Sequence, residues 1–260
     1  MILNKGFKIF KAILNRLNIA LNLNDYIVLK KSELTYAQDL LYTFHNTDFL
    51  NDPLFIESYN LGKATHESYP YSTEIYWRIH VLCWAADYAK SLPGDFIDCG
   101  VDTGFFARAI VNFTDFNTLN KKYYLLDTFQ GMDERYCGPK DIERNEWLHY
   151  KDHKDLHQKV IHTFKDFNVK VIKGPVPDTL SQVDTDSISF LSLDMNCALP
   201  EYEALKFLWD KIVPGGIVVM DDYAYRGCED QKQILDKFAA EVNTKILSLP
   251  TCQGLLIKTQ

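Results

Sequence analysis

One local pattern recurs along the chain and narrows the fold more than any other feature. Short apolar runs, all but one closing on an aspartate, alternate with turns and helical patterns. The runs lie at about 95–99, 123–127, 169–172, 188–194 and 217–222. Helical patterns follow through Phe105, Ala109, Ile110 and Phe113, then through Tyr202, Leu205 and Leu208, then over about 229–242. Another helical pattern, from Ser72 to Leu92, precedes the first run and is stopped by Pro93-Gly94. Strands alternating with helices imply a parallel sheet covered on both faces. The last two runs, Ile246–Pro250 and Gly254–Lys258, are separated by a short turn and should pair antiparallel. The expected fold is α/β: a mostly parallel seven-stranded sheet with a C-terminal antiparallel strand. Ligands in such sheets bind where strands end and the order reverses. Those ends carry Asp98, Asp127, Asp194, Asp221 and Asp222.

The first of these corners is the most specific. In Asp98-Cys99-Gly100-Val101-Asp102-Thr103-Gly104, Gly100 and Gly104 permit close approach of backbone to a ligand. The helix opening near Gly104 presents N–H groups and the positive end of its dipole. Asp127, one strand further on, is placed to accept hydrogen bonds from the hydroxyls of a ribose. A dinucleotide would call for G-x-G-x-x-G, and counting from Gly100 the later glycines are replaced by Asp102 and Phe105. A pyrophosphate would also meet several carboxylates, whereas a sulfonium nucleoside brings positive charge to them. S-adenosylmethionine therefore fits better than NAD. Asp194, Asp221 and Asp222 form a hard oxygen set of the kind Mg²⁺ takes, or else cap loops and face the methyl donor. The sequence leaves both readings open.

Composition excludes more than it assigns. With 47% apolar and 13% aromatic residues the chain is expected to be globular. Its formal charge of -7 argues against general nucleic-acid binding. The six cysteines, at 83, 99, 137, 197, 228 and 252, never form C-x-x-C and read as reduced thiols of a cytoplasmic protein. No apolar run reaches the roughly 20 residues of a membrane span, and a secretory signal is not expected. Residues 1–24 stand apart: Leu3, Phe7, Phe10, Leu14, Leu17 and Leu21 form one helical stripe, and Lys5, Lys8, Lys11 and Arg16 make it basic. Such a helix packs on its own domain or on a second subunit of a homo-oligomer, with a membrane surface as the alternative. Residues 1–60 are expected to form a helical extension or lid, and residues 61–260 the catalytic domain. Within these, 25–70 read as irregular, and Leu61–Pro70 as a loop.

The ordered set Gly94-Asp95-Phe96-Ile97-Asp98-Cys99-Gly100-Val101, Leu126-Asp127-Thr128-Phe129-Gln130-Gly131-Met132, Lys173-Gly174-Pro175-Val176-Pro177-Asp178-Thr179-Leu180, Leu193-Asp194 and Met220-Asp221-Asp222-Tyr223 resembles the macrocin O-methyltransferase family. The likeness extends over roughly residues 60–258. It implies a Rossmann-like class I methyltransferase that methylates a hydroxyl of a small sugar-like or natural-product acceptor with S-adenosylmethionine. It implies Mg²⁺ at Asp194, Asp221 and Asp222. Donor contacts are implied at Asp98, Gly100, Gly104 and Asp127, at Thr128, Lys173 and Gly174, and at Asp194. Arg78 would pair with the methionine carboxylate, and Leu61–Thr65 would form a lid. Where family members read L-D-G-D-L-Y-E, this chain has Leu193-Asp194-Met195-Asn196-Cys197-Ala198-Leu199, so the second aspartate is Asn196. Asp194 is the expected catalytic carboxylate. The general base is expected among the insert histidines: His149 first, His153 second, with His157 and His162 nearby. Rival readings are a catechol-type O-methyltransferase, a nicotinamide-dependent oxidoreductase, and a donor-binding protein without catalysis.

Overall fold

The computed structural model describes residues 31–66, 74–147 and 154–260. The amphipathic segment 1–24, Ser72, His149 and His153 lie outside the described residues. Of the described residues, 31–37 with 42–45 form one unit, and 38–41 with 46–260 form the other. The small unit contributes most of a hairpin, β1 (Tyr36–Gln38) and β2 (Leu41–Thr43). Thr35 ties it by donating its N–H to the Thr43 carbonyl (3.0 Å) and its hydroxyl to that of His45 (2.6 Å).

In the large unit, α1 (Pro53–Ala64) comes first. It begins at a proline, and the Asp52 side chain accepts the Leu54 N–H at 2.9 Å. Asp-Pro at a helix start satisfies an orphan donor and pre-sets the first turn. Leu61–Ala64 are therefore helical rather than loop, which corrects the sequence reading of 61–70. Next come α2 (Tyr76–Ala89), β3 (Asp95–Cys99), α3 (Phe105–Phe113), β4 (Tyr123–Asp127), α4 (Pro139–Trp147) and α5 (Leu156–Phe164). The chain continues through β5 (Val169–Lys173), β6 (Ile188–Leu193), α6 (Ala198–Leu208), β7 (Ile212–Met220), α7 (Glu229–Glu241), β8 (Leu247–Ser248) and β9 (Gly254–Ile257).

The seven-stranded sheet has the order β5-β4-β3-β6-β7-β9-β8. All pairs among β5, β4, β3, β6 and β7 are parallel, and β9 runs antiparallel to β7 and β8. The order reverses between β3 and β6, so the crevice opens over their carboxyl ends. One face of the sheet, with Phe96, Tyr123, Leu125, Phe190, Ile217 and Val219, packs against Ile79, Leu82 and Ala86 of α2 and Ala107 and Ile110 of α3. The other face, with Ile97, Tyr124, Leu126, Leu191, Val218 and Met220, packs against Leu205 and Leu208 of α6 and Leu235 and Phe238 of α7. Burial on both faces explains why these strands read as continuous apolar runs.

Pro214-Gly215-Gly216 is a composition that ordinarily marks a turn. It lies within β7, where the register against β6 shifts between Ile188 and Phe190. Gly216 accepts the Lys258 N–H at 3.0 Å, so the irregular stretch remains bonded to the chain's end. All six cysteines are free. Among the described residues, no helix is long and apolar enough to cross a membrane.

Candidate active site

The glycine corner lies where β3 meets the switch point. Gly100 has φ +92, and a Cβ there would stand 1.9 Å from the Asp194 carbonyl oxygen. Only glycine lets the ends of β3 and β6 come this close. Gly104, at φ +89, starts α3, and its missing Cβ makes room for the Phe164 ring. Between them, Val101 and Asp102 donate their N–H groups to Asp127 Oδ2 at 2.7 and 2.9 Å. Phe129 N–H reaches Asp127 Oδ1 at 2.5 Å. A carboxylate has about four acceptor directions, so Asp127 shapes the loop and keeps capacity for hydroxyl donors. Thr128 turns back on its own loop, donating to the Gly131 carbonyl. Lys173 ends β5 on the exposed side, and Gly174 donates its N–H to the Asp127 carbonyl at 2.9 Å.

Asp98 lies on the α2/α3 face of the sheet and is 1% exposed, and neither carboxylate oxygen meets a protein hydrogen-bond donor. Burial pushes its pKa up to about 8; the nearby Ser192 hydroxyl opposes this, while Asp127 and Asp221 add to it. Ser192 falls short of hydrogen-bond geometry with either oxygen, so it softens the charge without satisfying it. A buried acid lacking a donor is a receptor for a positively charged or donating ligand group.

Ligand atoms of Asp194, Asp221 and Asp222 lie within 4.8 Å of one another. Burial raises the Asp194 pKa well above the carboxylate range, and Asp221, Asp222 and Asp98 raise it further against the pull of Arg78. Asn196, at φ +54, donates Nδ2 to Asp194 Oδ1 at 3.2 Å. Beneath this loop, buried Glu201 accepts the Met195 N–H (3.2 Å) and Gln231 Nε2 (2.9 Å). Burial drives its pKa up to about 8.

Arg78, the residue expected to face the methionine carboxylate, has its guanidinium on three acids of the chain. Nη1 reaches Asp221 Oδ2 at 2.5 Å and Asp222 Oδ1 at 3.3 Å, and Nε reaches Asp39 Oδ2 at 2.7 Å. Gln253 Nε2 donates to Asp221 Oδ1 at 3.0 Å.

The remaining expected residues divide clearly. The five strand-end acids share one electrostatic neighbourhood, since Asp98 feels Asp127 and Asp221, and Asp194 feels Asp221, Asp222 and Asp98. The expected lid segment ends beside the glycine corner: Thr65 Oγ1 and His66 Nδ1 lie 3.3 and 3.1 Å from Thr103 Oγ1. Of the insert histidines, His157 lies over the Phe129 ring, with centroids 5.0 Å apart. Sequence reasoning missed Asp39, Gln253 and the His66–Thr103 contact. Asp39 sits in a hairpin turn without glycine, and Gln253 precedes a strand, so neither carries a local signal.

Comparison with known proteins agrees with this geometry. The Macrocin-O-methyltransferase (TylF) family model matches residues 80–247, and the chain belongs to that family. A curated relative, the 8-demethyl-8-(2,3-dimethoxy-alpha-L-rhamnosyl)-tetracenomycin-C 4'-O-methyltransferase of Streptomyces olivaceus, is 28% identical over 160 residues. That match spans 57% of this chain and 60% of the relative's own length. The solved O-methyltransferase NovP superposes with a TM-score of 0.58 at 20% identity, covering 70% of this chain and 80% of that one. The methyltransferase PaMTH1 of Podospora anserina, solved with S-adenosylhomocysteine (SAH), gives 0.51 at 18% identity, covering 80% and 88%. At these identities the solved structures establish the fold alone.

Proposed function

We propose that the protein is an S-adenosylmethionine-dependent O-methyltransferase acting on a hydroxyl of a small, sugar-like acceptor. The observation that carries this is the convergence of five carboxyl groups on one switch-point crevice, one of them buried without a donor. A cationic donor answers that charge. Asp98 would take the donor's ammonium group, and Asp127 the ribose hydroxyls beside Gly100. The relative's name supplies the acceptor class, since that enzyme methylates a rhamnosyl hydroxyl.

The reaction is a direct displacement. The acceptor oxygen forms a bond to the sulfonium methyl carbon, the carbon–sulfur pair stays on sulfur, and SAH leaves. The hydroxyl proton passes to a base. The donor is already activated, so the protein contributes alignment and proton removal. Asp194 would orient the hydroxyl, with Asn196 holding one of its oxygens. Three hard-oxygen side chains with ligand atoms this close fit a divalent cation such as Mg²⁺. Held by Asp194, Asp221 and Asp222, it would bind an acceptor diol and lower the pKa of its hydroxyl. His149 and His153 stand as candidates for the base, with a cytoplasmic homo-oligomer as the expected working form.

Calorimetry with SAH tests the donor half, with stoichiometric binding expected; no binding at millimolar ligand overturns it. Methyl transfer to deoxysugar glycosides over simple catechols tests the acceptor half, and the reverse preference overturns it.

A further inference from the structure

Arg78 is a buried cation seated on two of the three acids assigned to the metal. It is 9% exposed, and no anion from outside the chain is needed to explain its burial. Its Nη1 spans Asp221 and Asp222, while Nε and Nη2 fork onto Asp39 at 2.7 and 3.4 Å. Both oxygens of Asp221 are engaged, because the second already accepts from buried Gln253. A guanidinium cannot give up its charge near neutral pH. A divalent ion approaching Asp221 and Asp222 therefore meets a fixed positive charge on the same oxygens.

Asp39 is placed for this pairing. It occupies the turn between β1 and β2 with φ +48, followed by Leu40 with φ +57. Two successive non-glycine residues in the left-handed region carry a conformational cost that other contacts must offset. The forked ion pair to Arg78 is such a contact, and it aims the hairpin turn at the acid trio. Bidentate pairing also fixes the guanidinium plane in a way a lysine could not reproduce.

Resting on the metal reading above, we propose that Arg78 is the resident counter-charge of the acid trio, rivalling a divalent cation for Asp221 and Asp222, and that Asp39 is the carboxylate that retains Arg78 when the cation takes those oxygens. Arg78 is thus a positioning residue whose pairing sets metal affinity. Asp39 acts on the metal only through it. The arrangement keeps these acids together, since Asp39, Asp221 and Asp222 without a counter-charge would repel one another.

The test uses Mn²⁺ alone as probe, followed by loss of the free-ion electron paramagnetic resonance signal on the full chain. Arg78→Met keeps the length and removes the charge, and should tighten Mn²⁺ binding about tenfold. Asp39→Asn leaves the guanidinium wholly to Asp221 and Asp222, and should weaken binding by roughly threefold to tenfold. In the Arg78→Met background, Asp39→Asn should change affinity by less than about twofold, as expected when one residue acts through the other. Equal or weaker binding by Arg78→Met, or an equal effect of Asp39→Asn in both backgrounds, overturns the proposal. Should Arg78→Met fail to fold, Asp39→Asn alone decides, since unchanged or tighter binding there contradicts it. Absence of Mn²⁺ binding in every protein also overturns it. SAH calorimetry on the same samples then shows separately whether the donor reading stands.

Discussion

The two halves of the crevice solve the same electrostatic problem by different means. At the glycine corner, the carboxylate of Asp127 is stabilised by main-chain N–H groups of Val101, Asp102 and Phe129, within 26 residues of it. At the acid trio, Asp221 and Asp222 are stabilised by side chains, Arg78 and Gln253, the former 143 residues away from Asp221. These backbone donors belong to the turns that leave β3 and β4 and cannot rotate away as a side chain can. A guanidinium and an amide can be displaced by a competing cation. The side proposed for the donor thus rests on backbone bonds, and the side proposed for the acceptor includes exchangeable side-chain partners.

If that contrast is right, the largest single effect should come from the backbone side. Gly100→Ala forces a Cβ to 1.9 Å from the Asp194 carbonyl at a φ of +92. It should cost about 3 kcal/mol or more of stability in urea unfolding and abolish SAH binding. Gly227 provides the control: its φ is +105, but a Cβ there would meet nothing within 4 Å. Gly227→Ala should cost about 1 kcal/mol. Equal costs at the two positions would remove the close approach from the account. Next in size is Asp194→Ala, for which turnover should fall about a hundredfold or more while SAH affinity stays within about threefold. Parallel loss of both would place Asp194 on the donor side instead.

The same contrast explains what the sequence disclosed. The alternation of strands with helices, the antiparallel end and the glycine corner follow from periodicity and glycine placement over short stretches, and the structure agrees with each. Helix α1 escapes a reading by periodicity because its buried face includes Ser58, Tyr59 and Gly62 beside Phe55, although Asp52-Pro53 marks its start. Arg78 is legible as a charge on the right helix, but its partners are not. Asp39, Asp221 and Asp222 come from distant segments that only the folded chain assembles. Short-range geometry leaves a signature in one sequence, whereas a long-range ion pair leaves only its separate residues.

Asp98 tests the comparison through pH. Its folded pKa of about 8 lies above its ordinary value of 3.8. The folded state therefore holds a proton that the unfolded state releases between those values. The resulting stability is complete below about pH 4 and is lost as pH rises toward 8, by a few kcal/mol in all. Asp98→Asn removes this slope, so its stability relative to the parent should improve steadily from pH 5 to pH 8. The same substitution should weaken SAH binding by about tenfold at pH 8, where the parent carboxyl is half ionised. A parent protein with the same pH slope as the variant would show that Asp98 is already paired.

The smallest expected effect separates the two oxygens of Asp127. Asp127→Asn retains one acceptor, so either the Val101 and Asp102 N–H groups on Oδ2 or the Phe129 N–H on Oδ1 must face the new amide nitrogen. One donor set is left unsatisfied, at about 1–3 kcal/mol. The amide should turn its oxygen toward the pair of donors, because two N–H groups outweigh one. The cost then falls on the Phe129 turn, and the glycine corner keeps its shape. SAH affinity should drop only severalfold, and amide exchange should rise at Phe129 while Val101 and Asp102 remain protected. Exchange rising at Val101 and Asp102 instead would mean that the corner is not fixed by its backbone bonds, and the distinction between the two halves of the crevice would fail.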